Sequence, residues 1–396
     1  MIPKRPWKDK EAGMEKQQRV VKKPRMANLE LLRCIAMMMV VTLHYLGKGN
    51  LLGDLTQETM TGAGIAAWVL EGFCLVAVNV YMLISGYFLC ESSFKPSRLL
   101  RLMLQVWVYS VGIGMLARVF GIVPLEEADI HYFLTLLFPI SMNHYWFMTV
   151  YVFLYAALPL IGMGVRRMSK NQLKTALLVL LFFFCLLKSI LPFRLETDGQ
   201  GYDVLWYLCV FLTAAYIRRF GFPLLGKKAR SLCLYAAGCL GILAEIALLR
   251  FGYLKTGSFG LILKISTEYN HLFPFLASVG LFCLFLQIRI SGKAAGAVLR
   301  IAPYTLGVYL LHENIGVRYA WQAWLGAEAA NTPVRVVCYT LLAAVAVFFC
   351  GVLADAIREL FTRGFLGLLL KTAPGKAAGG AIQRLDGVFA AGEKQA

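Results

Sequence analysis

An arginine and a histidine stand eleven positions apart in one apolar stretch near the amino terminus, Arg33 and His44. On a helix this separation is three turns plus about 20°, so both side chains share a face, with a rise of about 16 Å between them. An imidazole can act as a base or carry a transferred group, and a guanidinium can hold a phosphate or carboxylate. Ionisable groups in an apolar stretch are costly, which makes the pair a candidate functional site.

Each of the two residues also has a simpler interpretation. Arg33 could be one of the positive residues that flank a membrane span on its cytoplasmic side. His44 could be a buried neutral imidazole that hydrogen-bonds a neighbouring helix. The shared face favours a joint functional role for the pair over either separate interpretation.

Further polar residues interrupt or flank the later apolar stretches. Arg98 and Arg101 open the third stretch, where they could be positive-inside residues or could hold phosphates. His144 begins the fourth, followed by Trp146, for which an interfacial aromatic belt is the ordinary interpretation. His312-Glu313 lies in the ninth, where a lipid-facing position is implausible, and a hydrogen bond that pins this span to a neighbour is the alternative to a substrate contact.

The composition places these residues in a membrane protein. Of the 396 residues 59% are hydrophobic and 16% are charged, and the mean hydropathy is +0.65. A soluble domain has about 45–50% apolar and about 25% charged residues, so a soluble enzyme and a disordered chain are excluded. The net charge of +18 comes from basic residues between apolar runs, as membrane insertion selects, so no nucleic-acid partner is expected. The ten cysteines form no CxxC pair, and we expect neither disulfides nor a metal site.

Ten apolar segments are long enough to cross a bilayer, at about 20 residues each. They are 29–47, 65–88, 99–120, 145–164, 173–192, 203–220, 230–250, 271–289, 300–318 and 334–355. Most of the 40 Lys and Arg residues fall on one side of this arrangement, which places both termini in the cytoplasm. We therefore predict an all-α polytopic membrane protein. Its parts are a basic cytoplasmic tail at 1–28, a ten-helix domain at 29–355, and an interfacial helix with a disordered cytoplasmic tail at 356–396.

Several segments together resemble the acyltransferase 3 family, which contains integral-membrane O-acyltransferases that modify surface polysaccharides. The matching segments are NLELLRCIAMMMVVTLHYLG, VNVYMLISGYFL, FKPSRLLRLMLQVW, HYWFMTVYVFLYAALPLI and TLGVYLLHENIGVR, in this order within about 27–355. The resemblance implies that His44 and Arg33 are catalytic, and that Arg33, Ser85, Arg98 and Arg101 bind the donor. His144, Trp146, His312 and Glu313 are the candidates for binding the second substrate.

The resemblance implies transfer of an acyl group, expected to be acetyl, from cytosolic acyl-CoA to a hydroxyl of a surface glycan or lipid-linked sugar at the cell membrane. His44 would either deprotonate that hydroxyl or carry the acyl group, and a continuous polar passage should join Arg33 to His44. Two other classes stay open at this point. A secondary transporter also uses buried His and Arg, although the sequence lacks the paired broken segments of many transporters. The second open class is a membrane subunit that binds a glycan and has no catalytic activity.

Overall fold

The computed structural model describes residues 25–191 and 196–392, with side chains up to residue 389. Every regular element within these residues is helical. The α-helices are α1 (Ala27–Lys48), α2 (Gly62–Cys74), α3 (Ala77–Leu89), α4 (Pro96–Val119), α5 (Ile130–Leu137), α6 (Trp146–Ala156), α7 (Leu158–Arg167), α8 (Lys170–Leu181), α9 (Leu187–Ile190), α10 (Val204–Phe220), α11 (Lys228–Thr256), α12 (Leu272–Leu286), α13 (Gly292–Ile301), α14 (Thr305–His312), α15 (Trp321–Trp324), α16 (Pro333–Leu369) and α17 (Ala373–Gly392). A π-helical turn joins α8 to α9, and 3₁₀ turns lie at Pro223–Leu225, Gly260–Ile262, Ile265–Thr267, Ala302–Tyr304 and Ala327–Ala329.

The helices confirm an all-α polytopic membrane protein. In the part of the chain that the structure describes, eight helical segments are long and apolar enough to cross a membrane. The bent pair α6 and α7 adds a ninth. The predicted span 203–220 forms α10, a helix of 17 residues that is shorter than the other nine segments. The cytoplasmic position of the two termini stays a prediction.

Two breaks within spans have local causes in the sequence. Pro159 lacks the N–H that would continue the helix at α6, and the chain bends by 59° between α6 and α7. Pro303 lies in the 3₁₀ turn between α13 and α14. The ninth span covers Gly292–His312. The sequence predicts this span at 300–318, so the span begins and ends earlier than predicted.

The carboxyl-terminal region differs from the prediction. Residues 356–369 do not form a separate interfacial helix but continue the last span, so that α16 has 37 residues. The segment expected to be disordered forms α17, which packs against α4. Asp386 accepts hydrogen bonds from the backbone N–H and the hydroxyl of Ser97. These contacts, which composition does not indicate, hold the Gly- and Ala-rich segment in helical form.

Helix α1 lies at the centre of the bundle. It contacts α2, α3, α12, α13, α14 and α16. Arg33 and His44 are therefore on one continuous helix that other helices surround, as their spacing predicted. Close packing nearby depends on Gly86 of α3, where a Cβ atom would meet the Phe211 backbone at 3.1 Å and Ala214 at 3.0 Å.

Candidate active site

A group of polar residues surrounds His44 near the carboxyl end of α1. His44 Nδ1 lies 2.9 Å from His312 Nε2 and 3.0 Å from Glu313 Oε2. The Lys48 ammonium donates to the same carboxylate, and Arg318 Nε stands 3.7 Å from Glu313 Oε1. We call these five residues the histidine cluster.

The hydrogen bonds of the histidine cluster determine which ring nitrogens carry protons. His312 Nδ1 lies 2.6 Å from the Val308 carbonyl oxygen, and because a carbonyl only accepts, this nitrogen must be the donor. Neutral His312 then accepts at Nε2, so His44 donates from Nδ1. In the neutral form of His44 the proton is then on Nδ1, and the lone pair of Nε2 can act as a base or as a nucleophile.

The end of α14 places His312 and Glu313 against α1. The helix stops at His312, and Glu313 is its C-cap residue. Trp321 Nε1 donates to the His312 carbonyl at 3.1 Å, and Gln322 Nε2 donates to the His44 carbonyl at 3.3 Å. The chain after α14 thus ties both helices together at the imidazole pair.

A small cavity of about 40 Å³ lies next to His44; we call it the histidine cavity. Its lining is otherwise mainly apolar and aromatic. It consists of Met37, Val40, Leu43, His44, Val78, Tyr81, Trp146, Phe147, Tyr269, Leu306 and Tyr309. A space of this size holds only a few heavy atoms.

A larger cavity of about 780 Å³ lies toward the amino-terminal end of α1; we call it the arginine cavity. Five arginines line it: Arg25, Arg33, Arg98, Arg101 and Arg218. Ser85 is also part of the wall, and among the described residues Glu30 is the one carboxylate in it. Such an excess of guanidinium groups suits an anionic ligand with several phosphates.

Glu30 holds two of these arginines in place. Its Oε2 accepts from Arg33 Nη1 at 2.7 Å, and its Oε1 accepts from Arg25 Nε at 3.0 Å. The Glu30 side chain is 5% exposed, whereas that of Arg33 is 23% exposed. The carboxylate thus orients Arg33 while the guanidinium stays partly open to the cavity.

The two cavities meet at three shared residues, Tyr81, Phe147 and Leu306. Arg33 and His44 therefore line two adjoining spaces, and neither faces lipid alone. The prediction of a continuous polar passage from Arg33 to His44 is wrong, because the residues shared by the two cavities are aromatic and aliphatic. A route past these residues suits a mostly apolar arm rather than a chain of polar groups.

Comparison with known families gives a match over most of the chain. The acyltransferase 3 model, described as an acyltransferase domain, matches residues 26–354. The chain belongs to the acyltransferase 3 family. Neither the comparison with curated proteins nor the comparison with solved structures gives a match.

The four residues that were predicted to bind the acceptor do not all lie together in this acyltransferase domain. His312 and Glu313 join His44, as the histidine cluster shows, and Trp146 lines the histidine cavity. His144 does not reach it. Its Nε2 accepts from Ile315 N at 2.9 Å and its Nδ1 lies 2.9 Å from Ser110 Oγ, so both ring nitrogens are bonded within the protein and the residue lines neither cavity.

The histidine cluster has the donor set of a metal site. His44, His312 and Glu313 each offer one ligand atom, all within 4.8 Å of one another. Two of these atoms are hydrogen-bonded to each other, and Lys48 occupies the carboxylate. A cation would have to displace Lys48 and would stand near Arg318, so the arrangement suits a hydrogen-bonded pair better than a metal centre.

Several residues that line the two cavities were not predicted. Arg25 and Arg218 line the arginine cavity, and Tyr309 and Tyr81 line the histidine cavity. The two arginines are indistinguishable in sequence from other basic residues that flank spans. The two tyrosines lie in apolar stretches, where their side chains fit ordinary helix packing.

Proposed function

We propose that this protein is an O-acyltransferase of the cell membrane, which transfers an acetyl group from cytosolic acetyl-CoA to a hydroxyl of a surface glycan or lipid-linked sugar. The observation that carries the proposal is the contact between the two cavities. A large, arginine-lined space shares wall residues with a small chamber that His44 lines. Acyl transfer from a CoA thioester needs both features in this relation.

The donor would occupy the arginine cavity. Arg33, Arg98 and Arg101 contact the phosphates of CoA, and Ser85 borders the same space. The pantetheine arm then extends past Tyr81 and Leu306 toward His44. The rise of about 16 Å between Arg33 and His44 is close to the reach of that arm. The small volume of the histidine cavity favours acetyl over longer acyl chains.

His44 would act as the general base. Its Nε2 takes the proton of the acceptor hydroxyl while the oxygen attacks the thioester carbonyl carbon. Collapse of the tetrahedral intermediate breaks the carbon–sulfur bond, and the CoA thiolate takes up the proton. Glu313, at 3.0 Å from His44 Nδ1, stabilises the imidazolium that forms in between.

The acceptor would approach from the other side of the histidine cavity. Trp146 lines the cavity there, with its ring 4.4 Å from that of Tyr202, and Tyr202 is 47% exposed. Tyr269 packs beside both rings. Aromatic faces of this kind suit the apolar faces of a sugar ring.

Thiol release tests the proposal. The purified protein in nanodiscs receives acetyl-CoA together with a panel of alkyl glycosides, and free CoA thiol and acetyl ester are measured. We expect both products from the wild type and a loss of about 10²-fold or more for His44→Asn with unchanged expression and thermal stability. His131→Asn is the matched control, because His131 is exposed and lines neither cavity.

Two results would contradict the proposal. One is wild-type turnover in His44→Asn. The other is passage of a labelled glycoside or acetyl-CoA across the membrane without thiol release, which would identify a transporter. For the native acceptor, mass analysis of surface polymers from cells with and without the protein should show acetyl esters only when the protein is present.

A further inference from the structure

Three tyrosine hydroxyls in the described chain are buried without a hydrogen-bond partner: those of Tyr81, Tyr207 and Tyr309. A buried hydroxyl normally has a partner, so each of these groups calls for an explanation. Tyr309 is 5% exposed and lines the histidine cavity together with His44. Its hydroxyl is thus an unused donor in the wall of the chamber where we place the reaction.

Helix α14 positions Tyr309 beside the imidazole pair. Tyr309 precedes His312 by three residues, which is nearly one helical turn. Its ring centroid lies 6.1 Å from that of His312 and 6.0 Å from that of Phe147. The hydroxyl is therefore held between the histidine cluster and the first turn of α6.

The first turn of α6 contributes a second set of unused donors. Tyr145, the N-cap residue, provides no side-chain cap, and its carbonyl accepts from Met148 and Thr149. Within the described residues, the backbone N–H groups of Trp146 and Phe147 have no backbone acceptor. The Phe147 backbone interacts with the Tyr309 oxygen, but without hydrogen-bond geometry. The first two residues of this helix, Trp146 and Phe147, line the same cavity, and the positive end of the helix dipole therefore lies next to it.

We propose that the Tyr309 hydroxyl and the amino-terminal N–H groups of α6 bind the carbonyl oxygen of the thioester and stabilise its negative charge in the tetrahedral intermediate. The inference rests on the proposed acyl transfer and adds a catalytic residue to it. As the acceptor oxygen bonds to the carbonyl carbon, the π electrons move to the oxygen, which accepts from Tyr309 and from α6. When the carbon–sulfur bond breaks, the carbon–oxygen double bond re-forms. The electron pair of the broken bond leaves with the sulfur as the thiolate.

The other two unpartnered tyrosines do not fit this role as well. Tyr81 lies where the two cavities meet, on the path of the pantetheine arm rather than at its end. Tyr207 lines neither cavity, although its ring lies 5.8 Å from that of Phe147. Tyr207 thereby offers a matched control, since it is a buried tyrosine with an unpartnered hydroxyl beside the same helix.

Tyr309→Phe tests the assignment, since it removes only the hydroxyl. In the thiol-release assay we expect kcat to fall by about 10²-fold, the scale for loss of one oxyanion donor, with KM for acetyl-CoA unchanged. Because no protein group makes a hydrogen bond of normal geometry to this hydroxyl, the Tm should stay close to that of the wild type, whereas a structural role would lower it. Tyr207→Phe should leave kcat unchanged.

The failure of this inference and the failure of the proposed function give different results. If wild-type protein releases no thiol, acyl transfer itself is contradicted. If wild-type protein is active and Tyr309→Phe keeps its kcat, only the oxyanion assignment is overturned. The same holds if Tyr81→Phe shows the loss while Tyr309→Phe does not, because the donor would then be Tyr81.

Discussion

Two buried groups of charged side chains lie at helix ends that we predict to face outside, and they differ in how completely their polar atoms are paired. In the first, which we call the lysine cluster, Lys188 Nζ donates to Asp198 at 2.7 Å, to Asn270 at 2.8 Å and to Glu268. Asn270 Nδ2 also donates to Asp198 at 2.7 Å. The three donors of the ammonium are all used.

The histidine cluster also combines buried acidic and basic side chains, but not all polar atoms in and beside it have a hydrogen-bond partner. Arg318 Nε lacks a hydrogen-bond partner, as does the Gln322 Oε1 atom beside it. His44 lines a cavity, whereas no member of the lysine cluster lines either of the two. Burial of charge alone therefore does not mark the active site. What distinguishes the candidate active site is that one member of its charged group, His44, lines a cavity in which a substrate could contact it.

The largest effect is expected from Lys188→Met. This change removes the ammonium that pairs with the buried carboxylates of Asp198 and Glu268, at a cost of about 3–5 kcal/mol in the free energy of unfolding. The measurement is denaturant or thermal unfolding in detergent, and Lys174→Met on the exposed face of α8 is the control. Stability equal to that of the wild type would show that the lysine cluster does not stabilise the fold.

The lysine cluster should also make stability depend on pH. Burial raises the pKa of the Asp198 carboxyl, but the hydrogen bonds from Lys188, Asn270 and Gln200 outweigh it, and the pKa is lowered from its ordinary value. The contribution of this carboxylate to stability is therefore complete at neutral pH. It is lost as the pH falls through the lowered pKa.

The next largest effect is expected in activity, from Glu313→Gln. The amide cannot stabilise an imidazolium at His44, so kcat should fall by about 10²-fold, which is about 2.7 kcal/mol. Stability should change little, since Lys48 is 19% exposed and can turn to water. Glu328→Gln, an exposed acid in the same region, is the control. Loss of stability without loss of activity would assign Glu313 to helix pinning instead.

A smaller effect is expected from Arg33→Lys. The charge remains but the planar fork is lost, so CoA affinity measured by calorimetry should fall about tenfold, or about 1.4 kcal/mol. Topology should not change, because the nine Lys and Arg residues of 1–28 remain. Arg167→Lys, an exposed arginine outside the arginine cavity, should bind CoA normally. Normal CoA binding by Arg33→Lys would leave Arg33 as a flanking charge only.

Features that repeat along one helix were predictable from the sequence, and those that join distant segments were not. The shared face of Arg33 and His44 follows from helical periodicity alone. Lys48, one turn beyond His44, could have been found by the same spacing. The His44–His312 bond joins residues 268 positions apart, and no local pattern indicates it. The lysine cluster likewise joins α9 to two loops.

The position of His144 and the structure of the carboxyl-terminal segment also depend on tertiary contacts. His144 stands at the start of a span, where it could equally have faced a substrate, and only the packed positions of Ser110 and Ile315 show that its ring is bonded within the protein. The tail at 373–392 has a Gly- and Ala-rich composition typical of disorder. Its helix packs against α4, and the ring of Phe389 lies 4.8 Å from that of Phe94, just before α4.

The proposed function depends on the two cavities forming one route for a CoA thioester. A cryo-electron microscopy structure of the protein in nanodiscs with CoA bound tests it most directly. We expect the phosphates of CoA within hydrogen-bond distance of Arg33, Arg98 and Arg101. The thiol of CoA should lie past Tyr81 and face His44. CoA with its thiol outside the histidine cavity, or CoA bound away from these arginines, would contradict it.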